Sequence, residues 1–190
     1  MLSYRFMRMS MDGNRMDTGP VTPAEVLADF MVTPLRMSMT MHMAGLMVAP
    51  SDRLTLMATA SYVRLEMDHR TRMGGEFTTT ASGVGNIKVS GLLKLFNRNR
   101  QAPHLNMGVS VPTGSIKMAD VTPASAPDEA IIPYPMQIGS GTTDLLPGVT
   151  YLGQVDRWSW GAQARATIRM GENDRSYRLG KRGPPGSRYG

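Results

Sequence analysis

Hydrophobic and polar residues alternate at every second position along most of this chain of 190 residues. In the stretch "RMSMTMHMAG" (36–45), methionine fills alternate positions, with serine, threonine and histidine between them. A period of two is typical of a β-strand with one apolar and one polar face, and helical periodicity is almost absent. The alternation predicts seven strands, at residues 1–12, 36–48, 53–68, 84–97, 104–112, 142–152 and 158–170.

The predicted connections alternate between long and short. Residues 13–35, 69–83 and 113–141 form the long ones, and the short ones are rich in turn-forming residues such as proline, asparagine and aspartate. An antiparallel up-and-down meander gives this alternation when its long loops lie at one end, as they do in outer-membrane barrels. Inside the first long loop, Thr22 and Glu25 predict a capping box that starts a short helix.

The next question is whether the apolar faces point toward a protein core or toward lipid. Residues 54–62 alternate over about nine positions, the length of a tilted membrane-spanning strand, and Arg64 and Glu66 follow on the same face. Aromatic residues make up only 6%, which is low for the core of a soluble all-β protein. We therefore favour a transmembrane barrel with a wet interior. This interpretation predicts four methionines on the outward, convex side: Met37, Met39, Met41 and Met43.

Two segments do not fit a regular strand. In residues 1–12 the apolar positions change parity between Phe6 and Met7, which predicts a bulge. Pro147 lies inside the sixth predicted strand, where it cannot donate a ladder hydrogen bond.

The polar faces of the predicted strands supply candidate residues for the wet interior. Lysine and arginine there would favour anionic solutes, including acidic aromatic ones. The candidate lumen-lining residues are Asn86, Lys88, Ser90, Asn106, Gln163, Arg165 and Arg169.

Methionine is abundant, with 18 residues, and thioethers are ligands for copper. The weak candidates for such a site are Met39, Met41 and His42. Methionines on one face of a strand are about 6.6 Å apart, so one ion needs sulfurs from neighbouring strands as well. His42 would lie on the opposite face. We therefore expect the alternation to reflect packing and predict no metal site.

Catalytic chemistry has no anchor in this sequence. Cysteine is absent, which excludes disulfides and thiolate nucleophiles, and no Gly-x-Ser-x-Gly motif occurs. Asp68 and His69 are adjacent, so in a strand they point to opposite faces, and His69 is predicted in a solvated loop. "PTGS" (112–115) and "GSGT" (139–142) lack the lysine and helix of a phosphate-binding loop. We predict no enzymatic activity and no cofactor.

The formal net charge of +6 permits an anionic partner without requiring one. Several basic residues lie in the Gly/Pro-rich segment 171–190, which is predicted to be a disordered, solvated tail. We therefore expect no nucleic-acid partner. The remaining residues, 1–170, are predicted to form a single β-sheet domain that is part of a barrel.

Four stretches, "MHMAGLMVAPSDRLTLMA" (41–58), "GVGNIKVSGLLKLF" (83–96), "LNMGVSVPTGS" (105–115) and "IGSGTTDLLPGVTYL" (138–152), together resemble a known family. This is a bacterial outer-membrane β-barrel family named for the meta-pathway of phenol degradation, often described as transporters. The resemblance implies an outer-membrane location, a lipid bilayer as partner and passage of small, often hydrophobic solutes. It implies no catalytic residues.

Family members are longer than this chain, so the resemblance also predicts a fragment with open sheet edges that forms no functional pore by itself. The alternative from the residues alone is a soluble or periplasmic all-β binding module that uses its methionines for copper.

Overall fold

The computed structural model describes residues 1–16, 19–98, 100–171 and 173. It confirms an all-β chain with one short α-helix. The strands in the described residues are β1 (Leu2–Asp12), β2 (Asn14–Met16), β3 (Gly19–Val21), β4 (Val32–Val48), β5 (Leu54–Thr71), β6 (Glu76–Val84), β7 (Ile87–Lys94), β8 (Gln101–Val111), β9 (Ala119–Val121), β10 (Glu129–Ile131), β11 (Thr143–Leu145), β12 (Gly148–Val155), β13 (Trp158–Arg165) and β14 (Ile168–Met170). Helix α1 spans Pro23–Asp29, and a 3-10 turn spans Tyr134–Met136. The predicted tail, 171–190, lies almost entirely outside the described residues.

Within the described residues, ten strands form one sheet with antiparallel pairing between neighbours. The order is β1-β4-β5-β7-β8-β11-β14, with β6 beside β5, β12 beside β8 and β13 beside β12. Along the chain β6 continues into β7, β11 into β12 and β13 into β14, and we call each such continuous path a line. The ten strands therefore form seven lines, which is the number of strands that the alternation predicts. The sheet is open, and its two edges are β1 and the line of β13 and β14.

Two interruptions of these lines have local causes. Tyr62 pairs with Val84, whereas Thr59 pairs with Lys88, so the register shifts by one residue between β6 and β7. Pro147 separates β11 from β12 because it has no N–H group, but its carbonyl accepts a 2.9 Å bond from the Ala166 N–H and the register continues.

The three connections that were predicted to be long lie at one end of the sheet, but the one at 69–83 is much shorter than expected. The prediction of a long loop at 69–83 is wrong, because β5 continues to Thr71 and β6 starts at Glu76. Gly74, with φ of +87°, makes the tight turn that a side chain would strain. Beside this turn, the Arg72 guanidinium donates 2.7 Å bonds to the carbonyls of Leu27 and Ala28 at the end of α1.

Helix α1 begins with the predicted capping box. The Glu25 N–H donates to Thr22 Oγ1 at 3.3 Å, and the Thr22 N–H donates to Glu25 Oε2 at 2.7 Å. None of the helices in the described part of the chain has the length and hydropathy needed to cross a membrane.

One face of the sheet is covered by the long segment 112–142, and we call it the covered face. Its hydrophobic core, which combines sheet residues with residues of that segment, consists of Val63, Leu65, Met67, Ala81, Ile132 and Met136. We call the opposite face the open face, since no segment of the described chain packs along it.

The prediction that Met37, Met39, Met41 and Met43 face outward is wrong. Met37, Met39 and Met41 pack against the core of the covered face, opposite Met67, Leu65 and Val63 of β5, and Met43 lines a cavity on that face.

The predicted bulge in the first strand is also absent, because β1 pairs with β4 in unbroken register from Leu2 to Asp12. The apolar positions of β1 do change from even to odd numbers after Phe6, but the cause is not a bulge. Near the loops, segment 112–142 fills the covered face with apolar contacts while the open face carries ion pairs such as Arg36–Asp12, at 2.8 Å. Nearer the short turns, the polarity of the two faces is reversed.

Candidate functional site

Two neighbouring rows of side chains cross the sheet on opposite faces and differ sharply in polarity. The row on the covered face contains Ser3, Gly45, Thr59, Lys88, Ser110, Asp144 and Arg169. One position nearer the short turns on each strand, the row on the open face contains Leu2, Leu46, Ala58, Val89, Val109, Leu145 and Ile168. In this half of the sheet the covered face is therefore polar and the open face is apolar.

A cavity of about 280 Å³ on the covered face is lined by five residues of the polar row: Thr59, Lys88, Ser110, Asp144 and Arg169. Lys88, Asp144 and Arg169 give it both charge signs with an excess of positive charge. The Arg169 guanidinium Nε lies 4.0 Å from Asp144 Oδ1, and the two side chains are only 7% and 8% exposed. This arrangement can bind a small polar or anionic solute.

Hydrogen bonds from the covering segment hold the cavity wall in place. Asn86 donates through Nδ2 to Ser140 Oγ at 2.8 Å and accepts through Oδ1 from the Gly114 N–H at 3.1 Å. Thr142 Oγ1 donates to Asp144 Oδ1 at 2.7 Å. Asn86 therefore ties the sheet to both ends of the covering segment.

The two glycine-rich stretches "PTGS" and "GSGT" cross each other beside this cavity. The Gly139 N–H donates to the Ser115 carbonyl at 2.9 Å, and a Cβ atom at Gly139 would overlap the Gly114 carbonyl. These glycines allow the two backbones to approach closely, which explains the motifs without a phosphate ligand.

The structure places all seven candidate lumen-lining residues on the covered face, and their lumen role stays a prediction. Asn86, Lys88 and Arg169 line the cavity. Asn106 and Gln163 donate to the same Thr150 Oγ1 at 2.9 and 2.7 Å, nearer the short turns. Ser90 lies on β7 opposite Gly108, and Arg165 lies on β13 opposite Gly148.

The polar cavity residues that the sequence-based candidates leave out include Ser110, Ser140 and Asp144. Asp144 lies next to Leu145 in a predicted strand, so the same alternation that indicated Lys88 was an available signal for it. Ser140 had no such signal, because it lies in a loop.

The weak metal candidates do not converge. His42 lies on the open face, as the alternation predicts, where the Tyr4 hydroxyl is 2.7 Å from its Nδ1 and the Phe6 ring is 5.3 Å away. Met39 and Met41 project from the covered face. Across residues 1–16, 19–98, 100–171 and 173, no group of three or more His, Cys, Asp or Glu side chains could hold a metal ion.

A second cavity, of about 680 Å³, lies among the connections at the loop end and has mostly apolar walls, including Met31, Met67 and Phe77. His69 also lines it, and the prediction that His69 lies in a solvated loop is wrong. The side chain is 6% exposed, its Nε2 lies 2.9 Å from Thr79 Oγ1, and its ring stacks on Phe77 at 4.8 Å. The reason is that β5 extends past this residue.

We expect the β5–β6 hairpin to lose stability on mild acidification. Burial lowers the pKa of His69 below its ordinary value of 6.5, and the nearby Asp68 carboxylate opposes this with a smaller effect. The stability is fully present above pH 6.5 and falls as the pH drops from there toward the lowered pKa, because the unfolded chain takes up a proton that the buried imidazole resists. Urea unfolding at pH 7.5 and 5.5 should show a larger loss for wild type than for His69→Gln. Equal losses would contradict the assignment.

Comparisons of the chain with protein-family models, with curated proteins and with solved structures find no match.

Proposed function

We propose that this chain forms part of the wall of a bacterial outer-membrane β-barrel that passes small solutes. The observation that carries the proposal is the apolar row on the open face, which lies directly behind the polar row of the cavity. Val89, at its centre, is 50% exposed, and Leu46 and Val109 on either side of it are also exposed. A water-soluble monomer rarely exposes a contiguous apolar surface of this extent, whereas lipid covers it at no cost.

The boundaries of the apolar band support the same proposal. On β5 the open face is apolar from Leu54 to Tyr62 and then carries the Arg64–Glu66 ion pair, with 2.7 Å between the charged atoms. Trp158 projects from the strand end nearest the short turns, where it is 81% exposed. Aromatic side chains at both margins are typical of the interfacial girdles of membrane barrels.

The covered face supports the proposed passage of solutes. Lys88 and Arg169 favour anions in the polar cavity, and the larger apolar cavity at the loop end suits an apolar or aromatic group. The unpaired edges β1 and β13 would each leave backbone groups unsatisfied in lipid, at several kcal/mol per group. A working barrel therefore requires strands beyond those of the described sheet to close it.

The experiment is refolding of the purified chain in buffer, in detergent micelles and in lipid vesicles. We expect a β-sheet circular dichroism spectrum and protease protection only with detergent or lipid, where copies of the chain can pair at their open edges, and aggregation in buffer. Sedimentation velocity in buffer decides the matter, because a monomeric, folded chain without detergent would contradict the barrel and favour a soluble β-module. The experiment compares vesicles of neutral lipid with vesicles of anionic lipid. Electrostatic adsorption of the chain, whose net charge is +6, would require anionic lipid, whereas insertion should also occur in neutral lipid.

A further inference from the structure

Methionine side chains from three neighbouring strands project from the same face of the sheet near the loop end. Met7, Met9 and Met11 of β1 lie opposite Met41, Met39 and Met37 of β4, and Met37 also lies opposite Met67 of β5. We call this set the methionine ladder; its members are Met7, Met9, Met11, Met37, Met39, Met41 and Met67. The ladder supplies the neighbouring-strand sulfurs that a single strand lacks.

The register sets how close the sulfurs can come. Met1 and Met47 exchange two backbone hydrogen bonds, of 2.8 and 2.9 Å, so alternate pairs along β1 and β4 are hydrogen-bonded partners. The Met9–Met39 pair has the same parity, and such partners have Cα atoms about 5.5 Å apart. Because methionine has three rotatable side-chain bonds, the sulfurs of the pair can approach the roughly 3.8 Å that separates neighbouring ligands when four surround one ion tetrahedrally at about 2.3 Å each.

The ladder is accessible at the sheet edge and bounded on one side by charge. Met9 and Met11 are 38% and 44% exposed, so an ion can reach their sulfurs from solvent. Arg5 precedes Met7 on the same face, and Met41 lines the cavity that contains Lys88. Cation binding is therefore favoured at the end of the ladder that lies away from these positive charges.

We propose that the methionine ladder binds a soft monovalent cation, Cu(I), through the thioether sulfurs of Met9, Met11, Met37 and Met39. Neutral thioethers bind soft ions such as Cu(I) and discriminate against Mg²⁺ and Ca²⁺, which require oxygen ligands. The proposal rests on strand register and is independent of the proposed membrane location.

The test is a Cu(I) titration of the full chain, refolded in detergent micelles, against the chromogenic chelator bicinchoninate under anaerobic, reducing conditions. We expect wild type to remove about one equivalent of Cu(I) from the chelator, and the Met9→Leu/Met39→Leu variant to bind at least tenfold more weakly. Leucine nearly preserves side-chain volume, so the sheet should be retained, as circular dichroism will verify.

The matched control is Met107→Leu/Met170→Leu, which removes two exposed methionines outside the ladder and should leave the affinity unchanged. His42→Gln should also have no effect, since His42 lies on the open face. X-ray absorption of the wild-type complex should show sulfur ligands only, which gives a readout if the ladder variant fails to fold. No Cu(I) uptake, nitrogen or oxygen coordination, or equal weakening of ladder and control variants would overturn the proposal.

Discussion

Replacing Val89 with arginine is expected to make folding into a lipid bilayer less favourable by about 2–4 kcal/mol. This is the cost of an arginine at the bilayer midplane of a membrane barrel. Val89 lies at the centre of the apolar row on the open face, between Ala58 and Val109. The substitution places a charge where the proposal requires hydrocarbon, so the insertion equilibrium should shift by more than tenfold.

The measurement is urea-dependent folding into phosphatidylcholine vesicles, followed by the fluorescence of Trp158 and Trp160. Ser38→Arg is the matched control, because Ser38 lies on the same face but beyond the apolar band, opposite Glu66. It should change the folding free energy by less than about 0.5 kcal/mol, as surface substitutions usually do. Equal effects of the two substitutions would show that the open face does not contact hydrocarbon.

Asp144→Asn is expected to destabilise the folded sheet by about 3 kcal/mol. Asp144 and Arg169 are almost fully buried partners, and removal of the Asp144 charge takes a buried counter-charge away from the Arg169 guanidinium. Asparagine keeps the shape and can still accept the bond from Thr142 Oγ1. The effect therefore reports on charge rather than on packing.

A double-mutant cycle measures this coupling. The Asp144→Asn/Arg169→Gln variant should be more stable than the sum of the single effects predicts, because the second substitution removes the charge that lost this partner. Glu66→Gln is the control: it breaks the shorter but exposed Arg64–Glu66 pair and should cost less than about 1 kcal/mol. Additive effects at Asp144 and Arg169 would contradict the coupling.

Strand positions and the face of each polar residue were predictable wherever the alternation continues through a strand. Lys88, Asn106 and Arg169 share one face because each alternates with apolar neighbours of its own strand, and this relation is local. The partner of Arg169 was not predicted, because pairing of β11 with β14 joins residues that only the folded register brings together.

His69 shows why strand ends are the least predictable feature. Its neighbourhood contains arginines and aspartate, which indicate a solvated loop in the sequence. In the structure these charged residues alternate with His69 and project from the opposite face, as Asp68 does where it accepts a 2.7 Å bond from Thr78 Oγ1. Pairing with β6 extends the strand and buries the imidazole.

By itself, the sequence determined the all-β class, the seven strand lines, the meander order and the capped helix α1. Each of these depends on the period of two, on turn residues or on a capping pair, all of which act over a few residues. Only the tertiary structure decided which side of β4 is covered by another segment. Alternation places Met39 and Thr40 on opposite faces of β4 but does not determine what covers each face. The covering depends on where segment 112–142 packs. Because the segment fills only the loop end of the covered face, the polarity of both faces reverses along the sheet, and the methionines lie on the covered face.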